Sequence, residues 1–323
     1  MDAAELALVR KTFENALANR RGAIGGLLDE LGWKELQAAE PAVAVGELFE
    51  AQGRLGVSTD ALDHVVALAL SAPMPEGTAV VHPELAGWDR PPAQPAAGST
   101  VRFEGYVLAG PERATQLLIP APRPDGDVEA IPADLAGTEV RPIAGIDPEL
   151  RLVAVRGEAR RPGAAANGPG VGWNHVASAA RRALAHELCA LGQAMVDTAA
   201  AHVRDRHQFG RPIAAFQTVR HRLTEVSVAL ASARGALDAA WATGDPTIAD
   251  AAKALAGRAA QLAALHCLQV TGAIGFTEEY GLAARIRRVM AVDGLYGSAD
   301  HLRSRLGAQL LEAGAVPRVY SLP

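Results

Sequence analysis

From Val176 onward, apolar residues recur at three- and four-residue steps: Val176, Ala180, Leu184, Leu188, Leu191, Met195 and Ala199. That is the period of one helix face, sustained for more than six turns. Phe216, Val219, Leu223, Val226, Leu230 and Leu237 mark a second such helix. Asp245-Pro246 is a helix start, with Asp as N-cap and Pro at the first helical position. Ile248, Ala252, Leu255, Ala259, Leu262 and Leu265 continue it as a third. Leu295, Leu302, Leu306 and Leu310 predict a fourth. Four long helices with short connections have few ways to bury their apolar stripes, and the expected one is an antiparallel four-helix bundle.

The rest of the chain has two other characters. Residues 1–72 read as helical, with Leu6, Val9, Phe13 and Leu17 at helical spacing and Leu62, Val65, Val66 and Ala69 repeating the pattern. Residues 73–168 are crowded with Pro and Gly, and short β-like runs lie at Thr78 to Val81, Thr100 to Leu108, Gln116 to Ile119 and Leu152 to Val155. Gly168 to Gly172 reads as the linker into the bundle, since no Lys-Ser/Thr follows to make it a phosphate loop. The expected fold is mainly α with a small central β domain: an N-terminal helical domain (1–72), a trimmed middle β domain (73–168) and a C-terminal four-helix bundle (169–323).

Composition narrows the function classes. A net charge of −5 without a long basic run argues against nucleic-acid binding. The apolar run from Val65 to Ala72 is far shorter than a bilayer span, and the amphipathic start with Asp2 and Glu5 lacks a signal-peptide pattern, so a cytoplasmic location without membrane contact is expected. Cys189 and Cys267 both fall in Ala/Leu-rich helical stretches and read as buried thiols. His202 and His207 have no companion cysteines or carboxylates at metal-ligand spacing, and no metal is expected.

Two motifs carry chemistry. The first is Arg204-Asp205-Arg206-His207-Gln208-Phe209-Gly210-Arg211-Pro212-Ile213, extended by Phe216-Gln217. A guanidinium is a planar, permanently charged fork that suits a pyrophosphate. The second is Gln269-Val270-Thr271-Gly272-Ala273-Ile274-Gly275-Phe276, whose glycines allow close backbone approach to a ligand. In this order the two motifs resemble the C-terminal half of the acyl-CoA dehydrogenase flavoenzymes. The resemblance implies FAD as cofactor and an acyl-CoA substrate. It further implies that Arg206, Gln208, Phe209, Gln217, Gln269, Gly272 and Gly275 contact the nucleotide half of an FAD held by a neighbouring subunit. Gly272-Ala273 departs from the adjacent glycines usual in the family.

The same resemblance exposes what is missing. Many members carry a Glu-Gly-Thr whose Glu removes the substrate α-proton; here the position reads Tyr296-Gly297-Ser298. A phenol, with an ordinary pKa of about 10, is a poor substitute. The other family location for the base falls at Ala180, also not an acid. The strand segment resembling Thr-Glu-x-x-x-Gly-Ser-Asp, which holds the flavin ring, is not found in the zone Val80 to Leu85. The resemblance therefore points to the base-less subunit of a heteromeric α₂β₂ acyl-CoA dehydrogenase, of the kind found in actinobacterial enzymes that shorten steroid side chains as CoA thioesters. A homologous partner would supply the flavin cleft and the Glu, and an electron-transfer flavoprotein would take the electrons. Two other readings stay open: a self-sufficient homo-oligomer using Asp293 as a relocated base, and a catalytically dead scaffold or CoA-binding protein.

Overall fold

A computed structural model describes residues 2–18, 22–85, 87–108, 114–162 and 170–314. Five helices open the chain: α1 (Ala3–Leu17), α2 (Gly25–Glu30), α3 (Trp33–Ala39), α4 (Pro41–Leu55) and α5 (Ala61–Ala69). α1 starts in a capping box between Asp2 and Glu5 and buries Phe13 and Leu17. α4 begins with Pro41 at its first turn and ends at Gly56 in the left-handed conformation (φ 64°).

The β unit contains the four runs expected from sequence, as β1 (Thr78–Val80), β4 (Thr100–Val107), β5 (Gln116–Pro122) and β8 (Val153–Arg160). It also contains strands without a strong sequence signal: β2 (His82–Pro83), β3 (Ala93–Pro95), β6 (Val128–Asp134) and β7 (Glu139–Pro142). One sheet has the order β1-β5-β6; the other has β2-β4-β8-β7, with β3 also paired to β4. Val81, Phe103, Val107, Leu117, Ile119 and Ile131 form a small core of the unit. Gly105 lets β2 lie close to β4, since a Cβ there would collide with the His82 carbonyl. This fixes His82 relative to the sheet. The expected division between the second and third domains, at 168/169, and the first two linker residues lie outside the described residues.

The bundle is built from α6 (Trp173–Asp205), α7 (Gln217–Thr243) and α8 (Pro246–Thr271), followed by α9 (Leu282–Gly294) and α10 (Ala299–Ala313). Asp245 caps α8 as expected, accepting a hydrogen bond from the Thr247 amide at 2.7 Å. Small residues let the axes come close: Ala252, Ala256, Ala259 and Ala263 of α8 are all buried. By length and composition α8 could cross a membrane, yet it carries buried Asp250 and Lys253 and packs against α6 and α7. The expected fourth helix starts later than read: Leu302, Leu306 and Leu310 lie in α10, which begins at Ala299 after a break at Leu295 to Ser298, where Tyr296 (φ 55°) and Gly297 (φ 104°) turn the chain and Ser298 caps α10. Leu295 belongs to the break rather than to a stripe with Leu302.

The N-terminal helices dock on the bundle through α4 and α6, and Gly53 sets the distance. A methyl on Gly53 would stand 2.6 Å from the Glu187 carbonyl oxygen and 2.8 Å from the Ala190 Cβ. Nearby, the buried Glu187 carboxylate accepts from Gln52 (2.9 Å), whose own oxygen accepts from Thr59 (2.5 Å). Gly53→Ala is expected to lower stability by about 1–3 kcal/mol through overpacking, more than the gain of up to about 1 kcal/mol in helix propensity returns. Urea unfolding checks this, and an unchanged midpoint would show that α4 and α6 separate at no cost.

Candidate functional site

α6 ends because Arg206 leaves the helical region (ψ 118°), with its amide still bonded to the His202 carbonyl at 2.9 Å. The chain then makes a tight hairpin, β9 (His207–Gln208) against β10 (Arg211–Pro212). Phe209 and Gly210 form its tip, both at positive φ (53° and 77°). Phe209 is 90% exposed and meets Phe216 edge-on, while the Arg211 guanidinium lies 4.3 Å over the Phe216 ring. Gln217 is exposed and opens α7, so the unsatisfied amides of that helix end lie beside Arg206 and its hairpin. Among the described residues the Arg206 side chain makes no ion pair, not even with Asp205.

The second motif closes α8. Gln269 is exposed on its last turn. Gly272 takes φ 67° with ψ −146°, a conformation that belongs to glycine. Gly275 is buried where a Cβ would strike the Thr271 hydroxyl. α6 and α8 end at the same side of the bundle, and there Thr198, His202, Asp205 and Arg206, with Tyr280 just past the second motif, line one open concavity of about 480 Å³. The structure thus places Arg206, Gln208, Phe209 and Gln217 at one end of the bundle, with Gln269, Gly272 and Gly275 at the neighbouring helix end.

Tyr296 is elsewhere. From Arg181, which touches it, to Arg206 the straight run of α6 spans about 37 Å at roughly 1.5 Å per residue. Tyr296 is 1% exposed, and its hydroxyl lies 3.0 Å from His82 Nδ1. His82 Nε2 lies 2.7 Å from Asp63 Oδ1, and the other Asp63 oxygen accepts the Val80 amide at 3.0 Å. A carboxylate only accepts, so the proton sits on Nε2 and Nδ1 accepts the Tyr296 hydroxyl. Burial raises the Tyr296 hydroxyl well above its ordinary pKa and keeps it protonated. His82 stacks on Tyr106 at 5.4 Å and Tyr296 stacks on Trp173 at 6.2 Å. These rings fill the space between the β unit and the bundle.

Past Leu85 the chain continues through Gly87-Trp88-Asp89, which completes the spacing Thr-Glu-x-x-x-Gly-Ser-Asp with His82-Pro83 in the first two places and Trp88 in place of Ser. Gly87 and Asp89 thus stand at two places of that pattern, while the other named places differ. Trp88 stacks on His301 at 3.8 Å, and its carbonyl accepts the Trp173 indole N–H at 3.1 Å. Asp89 pairs with Arg305 at 2.6 Å. Large rings thus occupy positions where small polar residues would face a flavin. This cleft does not fit an isoalloxazine, whereas the far end of the bundle, with its free guanidinium, helix start and glycine loop, fits the nucleotide half.

Neither alternative to position 296 offers a free base. Ala180, the other family location, is a fully buried methyl. Asp293 accepts from the Ala299 amide (3.1 Å) and from Gln261 (3.0 Å). Beside it Lys253 Nζ donates to the Asp293 (2.9 Å) and Gly297 (2.6 Å) carbonyls, and Arg181 Nε donates to the Tyr296 carbonyl at 2.9 Å. Burial brings the Lys253 ammonium down to about 8, below its ordinary 10.5. Between those two values the unfolded chain binds this proton more than the native one, so stability rises with pH across the window. The expected slope is at most about 1.4 kcal/mol per pH unit, and Lys253→Met should remove this contribution. Urea unfolding near the two ends of the window, on both proteins, checks it; equal slopes would refute it.

Residues 172–311 match the family described as acyl-CoA dehydrogenase, C-terminal domain. The acyl-CoA dehydrogenase IpdE2 of Mycobacterium tuberculosis is 29% identical over 173 residues, covering 54% of this chain and 52% of that protein. The chain thus spans about half the length of that curated relative. The ChsE4-ChsE5 complex of Mycobacterium tuberculosis shares the fold, with a TM-score of 0.73 at 19% identity, over 97% of this chain and 99% of that one. A variant of the Tcur3481-Tcur3483 steroid ACAD does so with a TM-score of 0.71 at 21% identity, over the same shares of the two chains. Over its C-terminal bundle, residues 172–311, the chain is therefore similar to the C-terminal domain of acyl-CoA dehydrogenases.

Proposed function

We propose that this chain is the base-less subunit of an FAD-dependent acyl-CoA dehydrogenase, which introduces an α,β double bond into an acyl-CoA thioester. When bound, FAD would supply a hydride acceptor for the β-carbon, and a carboxylate would hold the α-proton. A homologous partner supplies that carboxylate and the cleft for the flavin ring. This chain supplies Arg206 to the pyrophosphate, with Gln208, Phe209, Gln217, Gln269, Gly272 and Gly275 around the nucleotide. An α₂β₂ assembly then has two working clefts. The division into 1–72, 73–168 and 169–323 belongs to the same reading.

One observation carries the proposal. The nucleotide-binding candidates are exposed at one end of the bundle, while the base position lies about 37 Å away along α6 and is packed with rings. One cofactor cannot reach both ends of the same chain, so the exposed end serves a cofactor seated in another subunit. An exposed seam supports such docking. Leu255 and Leu265 of α8 are 43% and 61% exposed, and with Leu262 between them they follow heptad spacing toward Gln269. Asp293 is bonded into its own turn, which leaves the self-sufficient reading without a free base. The unpaired Arg206 argues against a pure scaffold, which has no use for it. The names of the ChsE4-ChsE5 and Tcur3481-Tcur3483 assemblies point to two-subunit partnerships, and the second to a steroid-derived acyl group.

Purified alone, the chain should be colourless; coexpressed with a Glu-bearing homologue, it should give a yellow complex with one FAD per pair. Arg206→Ala in this chain should weaken flavin binding by the complex about ten- to a hundredfold, the worth of a charge-assisted hydrogen bond. Flavin absorbance with native mass reads both. Four substrate-reducible flavins per tetramer would sink the proposal.

A further inference from the structure

The buried chain from Asp63 through His82 to Tyr296 joins three parts of the fold. Asp63 comes from α5, His82 from β2 and Tyr296 from the turn between α9 and α10. All three are at most 1% exposed, and their contacts span 19 and 214 residues of sequence. Trp173 at the start of α6 stacks on Tyr296 and donates to the Trp88 carbonyl, which adds the first bundle helix to the same cluster. Breaking the chain at any link strands a buried acceptor or donor.

We propose that this Asp63–His82–Tyr296 chain is a latch that takes the structural place of a bound cofactor, holding the helical, β and bundle parts together by side chains alone. Where a flavin ring would be an interchangeable guest between sheet and bundle, the latch is covalently part of each element and permanently present. The chain therefore reaches its native state with no flavin, and the bundle end that carries Arg206 is shaped before any partner arrives. The proposal stands on the chain's own core and does not require the assembly described above.

The test is a double-mutant cycle on the full chain purified alone, using Tyr296→Phe and Asp63→Asn, read by calorimetry with and without excess FAD. Tyr296→Phe removes one oxygen and should lower the melting temperature by about 2–4 °C for each kcal/mol lost in a chain of this size or somewhat smaller. Because both substitutions act on the same His82, the double variant should lose clearly less than the two single losses added together. FAD should leave the wild-type melting temperature unchanged. An independent reading is the His82 Nε2 proton, expected as a downfield, slowly exchanging NMR signal that is lost in Asp63→Asn. Additive losses, or the absence of that proton, would overturn the latch while leaving the partner reading intact. A rise in melting temperature with FAD that persists in Arg206→Ala would show that a guest still fits the cleft between sheet and bundle and would overturn the latch as well.

Discussion

Two buried cations hold the turn on which the rest of the molecule depends. Arg181 and Lys253 lie on neighbouring helices and are 1% and 0% exposed. Burying a charge is costly unless hydrogen bonds replace its water. Here Arg181 bonds the Tyr296 carbonyl and Asp250, while Lys253 bonds the Asp293 and Gly297 carbonyls. The chain between α9 and α10 is thereby forced through a tight break rather than a continuous helix. That break puts Tyr296 at positive φ, a conformation rarely adopted by a bulky residue. Its ring then points where the β unit can meet it, and the aromatic cluster follows.

The consequence is a polarity along α6. At its start the helix belongs to a packed region in which Asp293, His82 and Tyr296 are bonded into structure. At its end it releases an arginine without an ion pair among the described residues, a hairpin with an exposed aromatic tip and the first turn of α7. Rigidity at one end and unspent hydrogen-bonding capacity at the other are complementary. A surface that must recognise a nucleotide from outside benefits from being preorganised, since less ordering is lost on binding. The core at the start of α6 supplies that preorganisation through a helix of 33 residues.

Much of this was legible in the sequence, for identifiable reasons. The long helices repeat a strong apolar period, and Asp245-Pro246 is a local signal that no tertiary contact overrides. The Arg206 and Gly272 motifs are contiguous, so their residue types and spacing are readable without a fold. The strands β6 and β7 were missed because they pair with neighbours through the backbone while carrying Pro132, Glu139 and Pro142, which are poor strand formers. The helix break at Tyr296 was missed because it has no proline; it is imposed by Lys253, about forty residues earlier, through carbonyls that have no sequence signature. The latch was invisible for the same reason. Asp63, His82 and Tyr296 look like unrelated residues until the sheet and the bundle bring them within hydrogen-bond distance.

A buried tyrosine at position 296 and the filled space around it suit one another. A carboxylate at position 296 would face the His82 ring and the stacked aromatics with no solvent, a site where an unpaired charge is not tolerated. A tyrosine there offers a donor to His82 and an apolar ring to Trp173, so it satisfies the polar chain and the packing together. Trp88 and His301 then close the space from the side of α10. Together these rings make the space between the β unit and the bundle a piece of core. The bundle end at Arg206 takes no part in that packing, which is why its polar and aromatic residues remain exposed while the cleft is filled.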